Sequence, residues 1–167
     1  MLQILLSRFT WLVTLWLLQV LVFNHVHIFG YATPMPYVYF LILLPSDTSR
    51  WIYVAVGFVL GLSVDLFTNT PGMAAASLCL TGLLAPPLLR LFSSAEEEDD
   101  SFVPSKNTLE WGAFAGYALS LTLVHCIAFF AIESFSLFDW QMLLFNILGS
   151  TALSFIVMIA MELIRSK

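Results

Sequence analysis

The stretch from Trp51 to Gly72 constrains this chain more than any other. It is apolar for long enough to cross a bilayer, yet it carries a carboxylate, Asp65, about fourteen residues from its start. An ionised carboxylate at the centre of a membrane helix costs roughly 2.5 to 3.5 kcal/mol on insertion scales, so such a residue normally faces protein or water. Gly57 and Gly61 precede Asp65 at intervals of four residues, which places all three on one helical face. The stretch therefore predicts a membrane helix with a close-packing, partly polar face.

The composition places the rest of the chain in the membrane as well. Of the 167 residues, 60% are hydrophobic and 10% are charged, whereas about a quarter of the residues in a soluble domain are charged. A chain of this length has no room for a sizeable soluble domain beside a membrane unit. We therefore expect a single all-α integral membrane domain over residues 1–167. The net charge of −5 argues against nucleic acid as a partner.

Six hydrophobic segments predict six transmembrane helices. Five of them reach the ~17 to 25 residues that a spanning helix needs. The second contains Pro34 and Pro36, ends at Pro45 and has about fifteen residues, so it is short, broken or re-entrant if it is helical. The tandem Pro86 and Pro87 are expected to kink or end the fourth helix. The predicted helices are 9–28, 31–45, 51–67, 73–92, 111–132 and 140–164.

The basic residues predict the orientation of the chain. With six spans and a cytoplasmic N-terminus, all six basic residues fall on cytoplasmic ends or loops, as the positive-inside rule requires. If the second segment does not span, the best arrangement has the N-terminus outside and leaves Arg8 alone in violation. Both arrangements put the loop 93–110, with its acidic run 96–100, in the cytoplasm, and we expect this loop to be exposed. The six residues are Arg8, Arg50, Arg90, Lys106, Arg165 and Lys167.

Few polar residues within the segments are candidates for a site, and each has a structural interpretation beside the functional one. Asp65 can cap the backbone amides of the following turn or bond to a neighbouring helix, or it can bind a partner, an ion or a substrate. His125 and Glu133 lie on roughly the same face of the fifth segment, and packing or an interfacial position is favoured over catalysis for this pair. A hydrogen-bonding seam between helices is predicted for Asn146, Ser150 and Ser154, which recur every four residues.

Common catalytic and nucleotide-binding motifs are missing from the sequence. GxxxxGK[ST], GxSxG, HExxH and GxGxxG are absent, and no acidic cluster within the segments is suited to hold Mg²⁺. The cysteines, Cys79 and Cys126, lie in separate apolar runs and imply neither a metal site nor a disulfide. We therefore expect no enzymatic activity, cofactor or metal. Two classes remain, a binding or scaffolding subunit and a small-molecule-binding subunit of a transporter.

The stretch GFVLGLSVDLFTNTPG resembles the signature of the bacterial rod shape-determining MreD family. In that signature, a helix with G-L-x-x-D is followed closely by a Pro-Gly or Leu-Gly turn and small residues. Chain length, the order of the segments and the Pro-rich turn before the second segment agree, and ATPMPYVYFLILLP is similar to members from Bacteroidetes-type bacteria. The acidic run 96–100 is not part of the family pattern. The matching residues are Gly57, Gly61, Leu62, Asp65, Pro71, Gly72 and Ala74–Ala76.

The resemblance implies a non-enzymatic, multi-pass subunit of the bacterial inner membrane, with cytoplasmic termini, in the cell-elongation complex that organises peptidoglycan synthesis and maintains cell shape. MreD-like proteins associate with MreC and, through it, with RodA, a penicillin-binding transpeptidase and MreB filaments. The family fold is similar to the S-components of energy-coupling-factor transporters, which supplies the alternative function of binding a vitamin. The residues predicted to form a partner surface or an outward-facing pocket are Gly57, Gly61, Asp65, Asn69, Pro71 and Gly72.

Overall fold

The fold is all-helical within the described residues of a computed structural model. These residues are 2–21, 33–68, 70, 72–94, 101–134 and 140–165, with the backbone alone at 2–9, 11 and 12. The predicted all-α class is confirmed. The elements are α1 (Leu2–Leu21), a 3-10 turn (Pro36–Val38) that continues into α2 (Tyr39–Ile42), α3 (Arg50–Thr68), α4 (Met73–Phe92), α5 (Trp111–Glu133) and α6 (Trp140–Arg165).

Four of these helices, α3 to α6, are long and apolar enough to cross a membrane. Their lengths of 19, 20, 23 and 26 residues compare with the roughly 20 that the hydrocarbon core of a bilayer requires. Large apolar side chains such as Leu66 and Phe145 are 77% and 69% exposed on their outer faces. Such faces suit a lipid environment, and the chain is a membrane protein.

The first helix differs from its predicted bounds, whereas the fourth has the predicted bounds of 73–92. Helix α1 begins at Leu2 and is described as far as Leu21, and the predicted remainder to residue 28 lies outside the described residues. Helix α4 does not end at Pro86 and Pro87 but continues to Phe92. Each proline removes one backbone hydrogen bond from the helix, and the packing of α4 against both α3 and α5 holds the helical path.

In the described part of the second predicted segment, residues 33–45, the chain is helical over Pro36–Ile42 alone; the predicted residues 31 and 32 lie outside the described residues. Residues 33–35 have no regular structure, because Pro34 and Pro36 lack the amides that a helix needs and disfavour helical geometry in the residues before them. An extended residue advances the chain by about 3.3 Å, against 1.5 Å in a helix. The segment therefore spans a greater distance than a helix with the same number of residues.

Residues 33–45, which we call the central segment, lie in the core of the bundle. Tyr37, Tyr39 and Leu41 are at most 1% exposed. Each of the other five helices contacts the 3-10 turn or α2. The fold is thus a set of long helices that surround a short, irregular segment.

The residues 101–110, which we call the docked loop, pack against the bundle. The sequence analysis predicted that this loop is exposed, and for most of these residues the prediction is wrong. The Ser46 amide donates to the Phe102 carbonyl at 2.8 Å, and the Phe102 amide donates to Ser46 Oγ at 3.1 Å. Leu109 is 2% exposed and Pro104 is buried. These apolar residues drive docking despite the polar sequence around them. The acidic run 96–100 lies outside the described residues.

Candidate functional site

Asp65 caps the N-terminus of α4 from the helix before it. The side chain is 4% exposed. Its Oδ1 accepts hydrogen bonds from the Ala74 amide at 2.9 Å and the Thr70 hydroxyl at 3.0 Å, while Oδ2 accepts one from the Ala75 amide at 2.9 Å. Because α4 begins at Met73, these amides belong to the second and third helical residues, which have no partner within the helix. The carboxylate also carries the charge that a helix N-terminus favours.

Gly72 explains why the cap comes from Asp65. Gly72 occupies the N-cap position, where serine, threonine or aspartate usually supplies the side-chain acceptor, and it has none to offer. Its φ of 84° is left-handed, a conformation that glycine adopts without steric cost. The turn therefore takes its shape from Gly72 and its cap from Asp65. The predicted site residues Asn69 and Pro71 lie outside the described residues.

Gly57 and Gly61 bring the backbones of α3 and α4 into contact. A Cβ atom built on Gly57 lies 2.7 Å from the Leu78 carbonyl oxygen, and one built on Gly61 lies 2.5 Å from Ala75 Cα. On α4, a Cβ on Gly82 lies 2.7 Å from the Tyr53 carbonyl oxygen. Small residues permit such close approach between membrane helices. The helix that packs on these glycines is α4 of the same chain, and a role at a surface for another protein stays a prediction.

His125 is buried and bonded at both ring nitrogens. Nε2 lies 2.8 Å from the Tyr37 hydroxyl, and Nδ1 lies 3.4 Å from Thr81 Oγ1. Thr81 donates its own proton to the Ser77 carbonyl at 2.6 Å, so its oxygen is left to accept from Nδ1–H and Nε2 accepts from Tyr37. Glu133 is exposed and lies about 12 Å further along the helix axis. The structure therefore joins His125 to the central segment and α4 rather than to Glu133.

The serines of α6 bond to the backbone of the central segment. The Thr33 amide donates to Ser150 Oγ at 3.0 Å, and the Met35 amide donates to Ser154 Oγ at 2.7 Å. The Gln19 amide group of α1 donates to the carbonyl of Pro34 at 3.4 Å. Irregular backbone at membrane depth persists only where protein groups or water satisfy it. Ser150 and Ser154 of the predicted seam thus bind irregular backbone rather than another helix, and Asn146 Oδ1 has no hydrogen-bond partner among the described residues.

Glu162 forms a second buried carboxylate site that the sequence analysis did not single out. It is 0% exposed. Its Oε2 accepts from the Tyr39 hydroxyl at 2.5 Å and pairs with Arg165 Nη2 at 2.9 Å, and its Oε1 accepts from the Lys106 amide at 3.0 Å. The signal in the sequence was the spacing of Glu162 and Arg165 by three residues, which brings side chains together on a helix.

Comparisons of this chain with protein-family models, with curated proteins and with solved structures gave no match. The function of these residues therefore has to be inferred from their contacts in the structure. The buried Asp65, His125 and Glu162 are hydrogen-bonded to protein groups at three separate places, and each holds two or more elements together. Among the described residues, no three side chains of histidine, cysteine, aspartate or glutamate are grouped as metal ligands.

An apolar groove lies between α1 and α3. Its volume is about 440 Å³. Neither Asp65 nor His125 lines it. Its walls are formed by Trp16, Ala55, Val56, Val59, Leu60 and Ser63.

Proposed function

We propose that this chain is a non-enzymatic, MreD-like subunit of a bacterial inner membrane that binds MreC and helps to organise peptidoglycan synthesis in the cell-elongation complex. The observation that carries the proposal is that the residues of the resemblance form one unit. Gly57 and Gly61 provide the contact with α4, Gly72 shapes the turn, and Asp65 caps α4 at 2.9 Å from two amides. Each of these residues has a defined structural role in the hairpin that α3 and α4 form.

The proposed topology has six spans and both termini in the cytoplasm. Thr33, Met35 and Tyr39 bond in turn to Ser150, Ser154 and Glu162, so the central segment runs beside α6 for about 18 Å. A segment that covers this depth supports a crossing between α1 and α3. The described basic residues lie at the end of the bundle where Tyr39 meets Glu162. Their position supports a cytoplasmic location for that end. These residues are Arg50, Arg90, Lys106 and Arg165.

Through MreC, the proposed complex includes RodA, the penicillin-binding transpeptidase and MreB. The alternative, a vitamin-binding S-component, requires a cavity with polar groups for its ligand. The groove between α1 and α3 has apolar walls apart from Ser63, so this groove is not itself suited to a vitamin that carries polar groups. The groove suits the membrane lipids that surround the protein.

Depletion of the protein in its own host tests the proposal. We expect cells to lose rod shape, and a tagged copy of the chain to co-purify with MreC from solubilised membranes. Normal rods together with no recovered MreC would refute the proposed function. Unaltered shape with a new vitamin requirement would instead favour the transporter subunit.

A complementation experiment links the shape phenotype to the hairpin of α3 and α4. Asp65→Ala is expected to insert into the membrane but to recover less MreC and fewer rods than the wild type, because the turn loses its cap. Asp47→Ala is the matched control, since Asp47 is exposed in the loop before α3. If both variants fully restore rod shape, the Asp65 cap of the hairpin is not required for the proposed function.

A further inference from the structure

We propose that Glu162 mechanically couples the central segment to the docked loop, so that displacement of one releases the other. The proposal concerns a conformational device in the fold and does not depend on which protein the chain binds. It rests on one buried carboxylate whose two oxygens hold different elements. Oε2 accepts from Tyr39 of the central segment at 2.5 Å, and Oε1 accepts from the Lys106 amide of the docked loop at 3.0 Å.

Arg165 adds a second connection between the same elements. Its Nη2 lies 2.9 Å from Glu162 Oε2 and donates to the Pro104 carbonyl of the docked loop at 3.1 Å. Its guanidinium carbon lies 5.8 Å from the centre of the Tyr39 ring, within the range of a cation–π contact. The arginine therefore touches both elements that the carboxylate joins.

The Glu162 carboxylate links movement of the central segment to movement of the docked loop, because its two oxygens lie in one rigid plane and the side chain is 0% exposed. If Tyr39 moves away, Oε2 loses a donor in a site that is closed to solvent, and rotation of the carboxylate to recover a donor disturbs the bond that Oε1 accepts from the Lys106 amide. Buried polar networks of this kind are costly when they are only partly satisfied. The bonds from Tyr39 and from Lys106 to Glu162 therefore stabilise each other, and loss of one weakens the other.

The docked loop is the element expected to open. The central segment is contacted by five helices, whereas the loop depends on the Ser46–Phe102 pair, on Leu109 and on the bonds to Glu162 and Arg165. Local opening begins where buried contacts are fewest. Loss of the Tyr39 hydroxyl should thus be detected at the loop.

Limited trypsin digestion of the purified full-length protein in detergent measures that opening. Cleavage after Lys106 gives fragments 1–106 and 107–167, and the tight turn at residues 105–108 protects this bond while the loop is docked. Tyr39→Phe removes the hydroxyl that donates to Glu162. We expect it to raise the cleavage rate about 10- to 100-fold, the scale of one lost hydrogen bond to a charged group when cleavage follows the open population.

Tyr37→Phe is the matched control. It removes a buried hydroxyl two residues earlier whose partner is His125, so we expect cleavage after Lys106 at the wild-type rate. Wild-type cleavage of Tyr39→Phe would overturn the proposal. Equal acceleration in both variants would overturn it too, because it would indicate general loosening of the core.

A second variant covers the case in which Tyr39→Phe does not accumulate. Glu162→Gln keeps the size of the side chain and removes its charge, which weakens the pair with Arg165 and replaces one acceptor with an amide donor. The same digestion is expected to show faster cleavage after Lys106. Cleavage of Glu162→Gln at the wild-type rate would contradict the coupling.

Discussion

Replacement of Asp65 by alanine tests whether the carboxylate holds the turn between α3 and α4. The variant removes the acceptor for the Ala74 and Ala75 amides and for the Thr70 hydroxyl. The two amides lie at the start of α4 and are buried, so water replaces the lost bonds poorly. We expect the protein to insert and to unfold at lower denaturant concentration.

The magnitude follows from the two amides. A buried donor left without a partner costs about 1 to 3 kcal/mol, which gives about 2 to 6 kcal/mol for the pair. Removal of a charge from near the membrane returns part of this, because Asp65 no longer has to be desolvated. The expected net loss is about 2 to 4 kcal/mol, above the ~0.5 to 2 kcal/mol for loss of an ordinary helix cap.

Asp65→Asn tests whether the cap needs both carboxylate oxygens or only a polar side chain at this position. Its carbonyl oxygen can still accept from Ala74 and Thr70, but its NH₂ group then faces the Ala75 amide, where a donor meets a donor. We expect a loss of about 1 to 2 kcal/mol, between wild type and alanine.

Reversible unfolding in mixed micelles, followed by circular dichroism, gives the free energies of unfolding for these variants. Asp47→Ala, at an exposed position, is expected to unfold like the wild type. The reasoning is refuted if Asp65→Ala is as stable as Asp47→Ala, or if the asparagine and alanine variants are equally destabilised.

Two further predictions follow from backbone contacts. Gly61→Ala is expected to lose about 1 to 3 kcal/mol in the same unfolding assay, because its Cβ would lie 2.5 Å from Ala75 Cα; Gly112→Ala, with nothing within 4 Å of the added Cβ, should be neutral or stabilising, and equal effects would contradict the contact. Ser154→Ala is expected to leave the Met35 amide without its acceptor and to cost about 1 to 3 kcal/mol. Faster hydrogen exchange confined to the central segment is the expected signature of that variant, and unchanged exchange would contradict the assigned bond.

Local sequence carried most of the information about the hairpin of α3 and α4. The spacing of Gly57, Gly61 and Asp65 placed them on one face, and capping of the following amides was one interpretation of Asp65. All of these contacts join residues close in sequence, such as Asp65 and Ala74, which are 9 apart. The role of Asp65 at a partner surface remains a prediction.

The position of the central segment in the core could not be predicted from the sequence because its contacts are remote. Tyr37 meets His125 across 88 residues, and Tyr39 meets Glu162 across 123. The period of a helix identifies the face on which a residue lies but does not identify the element that this face meets. The spacing of Ser150 and Ser154 was therefore recognised, while their actual partners, the backbone amides of Thr33 and Met35, were not.

The same remote contacts set an order of assembly during synthesis. The Thr33 amide finds its acceptor in Ser150, 117 residues later, and ribosomes add about 5 to 20 residues per second, so the interval is about 6 to 23 s. Until α6 is made, the irregular backbone at residues 33–35 lacks the serines that satisfy it and must stay where water or headgroups can do so. Closure of the bundle is thus a late event that depends on the synthesis of α6.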